Sequence, residues 1–220
     1  MLSLNLKIGK EGGLTVLCLG AHSDDIEIGC GGTLLQLKHA IPGIRLHWMV
    51  FSATGVRAEE AKKGADLFVA GCEKTVILKP NKDGFLPYRG AEVKDTFEEI
   101  KLQLNPDLIF THWGGDAHQD HRLLSELTWN TFRNHFILEY EIPKYDGDMG
   151  RPNLFVPLDA PFYEQKIDHL FEAFTTQGGK KWFDRETFRG LMRLRGMECN
   201  SPTGYAEAFH VRKVMLRPAP

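Results

Sequence analysis

The chain has 220 residues, of which 42% are apolar and 25% are charged, close to the averages for soluble globular proteins. Its 27 lysines and arginines against 29 acidic residues give a formal net charge of -2. This balance argues against a general nucleic-acid binder, because such proteins carry a strong basic excess. The first residues lack the apolar run of a signal peptide, and no stretch approaches the roughly 20 apolar residues of a membrane span, so we expect a cytoplasmic protein. The four cysteines form no CxxC pair and are expected to be reduced packing residues.

Short apolar runs alternate along the chain with stretches of helical periodicity. The apolar runs predict strands at 15–20, 44–52, 75–78 and 108–111. The periodic stretches predict helices at 31–40, 58–69, 93–104 and around 123–127. In the less regular last third we expect a strand within 136–142, a polar loop at 143–153, two helical stretches and a final strand at 205–216.

This alternation implies right-handed β-α-β units around a mostly parallel sheet. We therefore predict an α/β fold, a Rossmann-like three-layer sandwich with a mostly parallel central sheet. Residues 1–220 are expected to form a single domain, with 140–220 as a C-terminal extension around the same sheet.

Two dense polar clusters follow predicted strands, at the edge where open parallel sheets bind their ligands. The first comes directly after the first strand and contains His22, Asp24 and Asp25. The second comes after the fourth strand and contains His112, Asp116, His118, Asp120 and His121. Imidazole and carboxylate groups are the usual ligands of a catalytic zinc ion. Helix caps and turns also use such residues, but two clusters at one sheet edge favour a metal site.

The segment AHSDDIEIGCGGTL, together with HQDH, resembles the signature pair of the PIG-L/LmbE family of zinc-dependent N-acetylglucosaminyl de-N-acetylases. That family has AHPDDE or AHPDDVEIG near its N-terminus and HPDH later in the chain, and YAEAF near the C-terminus is also typical of it. Ser23 and Gln119 stand where the family often has proline, and both departures leave every candidate ligand intact.

The resemblance implies one zinc ion per chain, or another divalent metal, held by three side chains: His22, Asp25 and His121. Only the resemblance decides which of the two neighbouring aspartates is the ligand. It further implies that Asp24 is the general base, and that His118, oriented by Asp120, stabilises the oxyanion or protonates the leaving amine. Arg57 matches an arginine of many family members and would bind sugar hydroxyls or a phosphate of the substrate.

The activity implied is removal of the N-acetyl group from an N-acetylated amino sugar or its conjugate, with release of acetate. The expected partner is this small-molecule substrate, without nucleic acid or a membrane span, and assembly into a homo-oligomer is left open. The extension at 140–220 would shape the substrate pocket. A metal-dependent phosphoesterase, marked by two metal ions, and a non-catalytic sugar-binding member, marked by a closed metal site, are the alternatives. His210 and the stripe Arg185, Arg189 and Arg193 have no assigned role. The stripe would hold an anionic part of the substrate or, as is more usual, form a solvated face paired with acidic neighbours, and His210 would point towards the pocket from the last strand.

Overall fold

The computed structural model describes residues 13–215. Within them, seven strands form one sheet: Thr15–His22 (β1), Arg45–Ser52 (β2), Glu73–Leu78 (β3), Leu108–His112 (β4), Phe136–Tyr140 (β5), Leu154–Pro157 (β6) and Ala206–His210 (β7). The α-helices are Asp25–Ala40 (α1), Gly55–Phe68 (α2), Gly90–Gln103 (α3), Gln119–Thr131 (α4), Ala160–Ala173 (α5) and Arg185–Glu198 (α6). Two short 3-10 helices lie at Leu86–Arg89 and Thr175–Gln177. No helix in this part of the chain is long and apolar enough to cross a membrane.

The strand order is β3-β2-β1-β4-β5-β7-β6. The first five strands of this order pair in parallel, and β7 runs antiparallel to both β5 and β6. The predicted α/β fold with a mostly parallel sheet is therefore confirmed. The direction of strand succession reverses between β1 and β4, which is the position where doubly wound sheets open a crevice for ligands.

Helices cover both faces of the sheet. Apolar side chains of α1, α2, α5 and α6 belong to one core cluster, and those of α3 and α4 belong to a second. Alternate residues of β1 supply the two clusters: Val16 and Cys18 lie in the first, whereas Leu17 and Leu19 lie in the second. This explains why the strand reads as a continuous apolar run rather than an alternating one.

Helix α1 begins at Asp25, six residues before the predicted start at residue 31. The prediction began too late because the glycines of this segment resemble a turn in the sequence. They lie inside the helix, at positions where the neighbouring side chains leave no space for a Cβ atom. A Cβ atom at Gly29 would overlap the ring of Tyr140, and one at Gly31 would overlap Phe68. The close approach brings the start of α1, which carries the first polar cluster, against the sheet.

The C-terminal third departs from the prediction in two places. The final strand ends at His210 instead of continuing to 216, a residue that lies outside the described part. Strand β6 was not predicted, because its four residues are half-buried or exposed at the sheet edge and show no alternation.

Candidate metal centre

The two polar clusters meet at the carboxyl ends of neighbouring strands. His22 is the last residue of β1, and Asp25 opens α1 directly after it. His112 is the last residue of β4, and His121 lies in the first turn of α4. Because β1 and β4 are paired in parallel, both sets of side chains reach the same edge of the sheet.

Three donor atoms face one another at this edge: Nδ1 of His22, Oδ2 of Asp25 and Nε2 of His121. The distance from His22 is 3.3 Å to Asp25 and 3.1 Å to His121, and the third side of the triangle is 3.6 Å. Ligand atoms of a tetrahedral zinc site with bonds of about 2.0–2.2 Å lie roughly 3.3–3.6 Å apart. Two of the three spacings fall in this range and the third, at 3.1 Å, is slightly shorter, so the three atoms are close enough together to hold one metal ion.

The outer nitrogen of each imidazole contacts a carboxylate. Nε2 of His22 lies 3.2 Å from Asp120 and 3.0 Å from Asp83, and Nδ1 of His121 lies 2.9 Å from Asp116. A carboxylate only accepts hydrogen bonds, so these contacts favour the tautomers with a proton on the outer nitrogen. The inner nitrogens then direct lone pairs at each other and at the carboxylate of Asp25, an arrangement that a cation relieves.

Other combinations of nearby donors also fall within 4.8 Å of one another in the described part of the chain. The three sets are His22–His118–His121, Asp25–His112–His121 and His22–Asp83–Asp120. The expected triad is divided between the first two sets. His112 belongs to the second polar cluster but has no predicted role. Its Nε2 accepts a hydrogen bond from the backbone of Ala21 at 3.0 Å, which leaves that nitrogen less available as a ligand.

The pKa values of the three candidate ligands shift in different directions. Burial lowers the pKa of His121 to about 4, and the neighbouring imidazole of His112 adds to this effect. Burial opposes ionisation of Asp25, yet the surrounding histidines hold its pKa well below the usual range. Burial alone would lower the pKa of His22, but Asp25 and a hydrogen bond to Asp120 help to raise it well above its usual value. Since ligands must be deprotonated, protons and metal compete for this imidazole.

Asp24, the expected general base, is buried beside this triangle. Its Oδ1 accepts a hydrogen bond at 2.8 Å from Arg57, which also donates to Glu60 at 2.8 Å. Burial raises the pKa of Asp24, and the guanidinium offsets part of that effect. Arg57 therefore contacts the expected base directly, and its side chain remains 28% exposed. Its role in substrate binding stays a prediction.

Asp120 was expected to orient His118, but its carboxylate contacts His22 instead. Its carboxylate accepts hydrogen bonds from the backbone of Gly84 at 2.8 Å and Leu86 at 3.1 Å, and it contacts His22. Its backbone N–H donates to Nδ1 of His118 at 3.2 Å. The carboxylate thus orients one histidine and the amide the other, a distinction that sequence spacing does not encode. Burial lowers the pKa of His118, so the neutral form predominates near neutral pH.

The residues without an assigned role make contacts with side chains and backbone outside the donor triangle. In the basic stripe, Arg185 and Arg189 form ion pairs with acidic side chains of α5, and Arg193 donates to a backbone carbonyl. His210 stacks on Trp113 with ring centroids 4.4 Å apart. The stripe therefore has the paired arrangement that is usual for such faces.

The sequence is similar to a known protein family and to a named deacetylase. A sequence model of the family described as PIG-L, GlcNAc-PI de-N-acetylase, matches residues 17–132. The uncharacterized deacetylase YaiS of Escherichia coli K12 is 31% identical over an alignment of 141 positions, and the match covers 58% of this chain and 74% of that protein.

Solved structures share the fold. The N,N'-diacetylchitobiose deacetylase from Pyrococcus horikoshii has a TM-score of 0.67 and 21% identity, covering 90% of this chain and 83% of its own. GalB, the 4-carboxy-2-hydroxymuconate hydratase from Pseudomonas putida KT2440, has a TM-score of 0.65 and 17% identity, covering 94% and 99%. Since both a deacetylase and a hydratase have this fold, the fold alone does not select the reaction.

Proposed function

The chain belongs to the PIG-L family of GlcNAc-PI de-N-acetylases, and on that premise we propose that it is a metal-dependent hydrolase that removes the N-acetyl group from an amino sugar or amino-sugar conjugate. The observation that carries the proposal is the triangle of facing donor atoms with a buried carboxylate, that of Asp24, beside it. Relatives named as deacetylases, one of them acting on an acetylated sugar, support the same reaction.

His22, Asp25 and His121 would hold the metal, and we propose zinc as the ion. Two imidazoles and one carboxylate are a common catalytic zinc set, which keeps a further position for water or substrate. When bound, the ion supplies a Lewis acid that polarises the amide carbonyl and makes water more acidic. The same donors suit other divalent metals, so identification of the bound element is part of the test.

Asp24 is the proposed general base. Because burial raises its pKa above the usual value of an aspartate, this carboxylate accepts a proton more readily than an exposed one does. The proton comes from the water whose oxygen adds to the amide carbon. It passes to the amine nitrogen as the C–N bond breaks, which yields acetate and the free amine. Arg57 fixes the orientation of the carboxylate through the hydrogen bond at 2.8 Å.

We propose that His118 donates a hydrogen bond to the developing oxyanion. Its Nδ1 accepts the backbone N–H of Asp120, so in the neutral ring the proton lies on Nε2. The lowered pKa keeps the ring neutral near pH 7, which favours oxyanion stabilisation over protonation of the amine by this residue. We further propose that 140–220 shapes the substrate pocket, with Arg57 at its rim.

Acetate release from a panel of N-acetylated sugars and glycosides tests the proposal. The wild type should release acetate, and Asp24→Asn should lower the rate by about 10²–10⁴-fold with its metal content unchanged. Asp66→Asn is the matched control. Asp66 lies on α2 with an exposed side chain that pairs with Lys74, so this variant should keep full activity. Near-normal turnover by Asp24→Asn would contradict the role of this carboxylate.

The phosphoesterase alternative makes a different prediction for the same preparations. It requires a second ion, and the set His22–Asp83–Asp120 is where that ion would bind. Two metal ions per chain, with phosphate released from phosphorylated sugars and no acetate from acetylated ones, would replace the deacetylase proposal. A tightly held ion without either activity would favour a sugar-binding protein.

A further inference from the structure

The polar loop at 143–153 connects β5 to β6 and is attached to the metal centre through Lys144. The Nζ atom of Lys144 lies 3.0 Å from Oδ2 of Asp116 and 2.5 Å from Oδ2 of Asp148. Asp146 lies at 3.8 Å from the same nitrogen. With only 11% of its side chain exposed, Lys144 is largely withdrawn from solvent, and three carboxylates surround its ammonium group.

The contact with Asp116 connects the loop to a candidate ligand. Oδ2 of Asp116, the atom that Lys144 contacts, also lies 2.9 Å from Nδ1 of His121. The other oxygen accepts a hydrogen bond at 2.8 Å from the backbone of His118. The Asp116 side chain is 3% exposed, so its charge depends on protein partners rather than on water. Two side chains contact the Asp116 carboxylate: Lys144 as an ion pair and His121 as a hydrogen-bond donor.

A second contact holds the loop to the same segment of the chain. Asp148 accepts a hydrogen bond at 2.6 Å from the backbone N–H of Ala117, the residue after Asp116. Without the ammonium of Lys144, the carboxylates of Asp116 and Asp148 would repel each other across this contact. The ammonium of Lys144 therefore offsets the repulsion that the docked loop would otherwise place on Asp116.

We propose that Lys144 is a positioning residue that couples docking of the 143–153 loop to metal binding. The docked loop fixes Asp116, and Asp116 holds the imidazole of His121 with its inner nitrogen towards the other donors. Because such coupling is reciprocal, metal binding must stabilise the docked loop by the same factor by which docking strengthens metal binding. The coupling uses the metal centre of the proposed function but requires no particular substrate.

Zinc affinity and protection of the loop test this coupling without an activity assay. Zinc affinity is measured by competition with a chromogenic chelator, and amide hydrogen exchange of 143–153 is followed with and without zinc. Lys144→Met should weaken zinc binding about tenfold, the lower end of the effect of altering groups behind metal ligands. In this variant zinc should no longer slow exchange in the loop, and Lys144→Arg should recover most of both effects.

The control is Lys63→Met, which removes the same charge from an exposed pair with Glu172 and should change neither readout. Asp148→Asn is a second variant for the case in which Lys144→Met does not fold, and it should also weaken zinc binding and loop protection. Wild-type zinc affinity in the loop variants would overturn the coupling, as would loop exchange in the wild type that does not respond to zinc. Failure of the wild type to bind zinc would overturn it as well.

The outcomes separate this inference from the proposed function. Coupling between zinc and the loop without acetate release from any acetylated sugar would leave the inference standing and contradict the deacetylase proposal. Acetate release by a protein whose loop is indifferent to zinc would do the reverse.

Discussion

Lys166→Met should destabilise the protein by about 3–5 kcal/mol, because it leaves Glu207 as a buried carboxylate without its cation. Nζ of Lys166, from α5, lies 2.6 Å from Oε1 of Glu207 on β7 and 2.6 Å from the backbone oxygen of Ile28. The carboxylate also accepts hydrogen bonds from the backbone of Gly32 at 2.8 Å and Thr33 at 2.6 Å. The pair thus connects the C-terminal third to the middle of α1, the helix that begins with Asp25.

The magnitude follows from the contacts that the substitution removes. Methionine has a similar length but makes neither of the two hydrogen bonds of the ammonium, each worth about 1.5–3 kcal/mol when a charged group takes part. The side chains of Lys166 and Glu207 are 4% and 3% exposed, so water does not replace the lost partner. Because Glu207 keeps its two backbone donors, we expect a loss near the lower end, about 3 kcal/mol.

Urea unfolding followed by circular dichroism measures this loss, and Lys63→Met provides the matched control. Lys63 lies 3.5 Å from Glu172, and the two side chains are 48% and 54% exposed, so the same substitution should cost about 0.5 kcal/mol or less there. The double variant Lys166→Met, Glu207→Gln should lose less than the sum of its single variants, because the uncompensated charge is gone. A loss for Lys166→Met within about 1 kcal/mol of the control would refute the reasoning.

Three further outcomes are expected. Gly29→Ala should cost about 1–3 kcal/mol in urea unfolding because its Cβ overlaps the Tyr140 ring, whereas Gly90→Ala, with no heavy atom within 4 Å, should not destabilise. Burial raises the pKa of Glu27, whose carboxylate oxygens lack hydrogen-bond partners. The native protein therefore binds more protons than the unfolded protein, and the free energy of unfolding falls as the pH rises above the usual pKa of a glutamate. Glu27→Gln should therefore raise the Tm of chelator-treated protein more at about pH 8 than at about pH 4, unlike exposed Glu59→Gln, and an equal effect at both would contradict this. Chelation should lower the Tm in scanning calorimetry, since a ligand at about 100 times its Kd stabilises by about 2.7 kcal/mol, and an unchanged Tm would count against a resident metal.

The sequence predicts the strands and helices around the site well, because each buried strand of the parallel sheet is an apolar run and each helix shows its periodicity. It fails where other effects decide the structure. The start of α1 depends on glycines that pack against Tyr140 and Phe68, which are remote in sequence. The edge strand β6 buries too little surface to leave a pattern.

For the site, motif spacing indicates which strand ends carry the polar residues but not which atoms meet. The contact of Arg57 with Asp24 joins residues 33 positions apart, and that of His22 with Asp120 joins residues 98 positions apart. Lys144 carried no signal at all, since a lysine in a polar loop is ordinary. Only the folded chain shows that its ammonium lies beside Asp116.

The metal content of the wild type and two variants tests the central claim most directly. Each protein is purified without added metal, loaded with zinc, dialysed and analysed for elements per chain. The wild type and Asp24→Asn should contain about one zinc ion per chain, and His121→Ala should contain almost none. A wild type that retains no metal, or a His121→Ala variant that retains a full equivalent, would contradict the proposed metal centre.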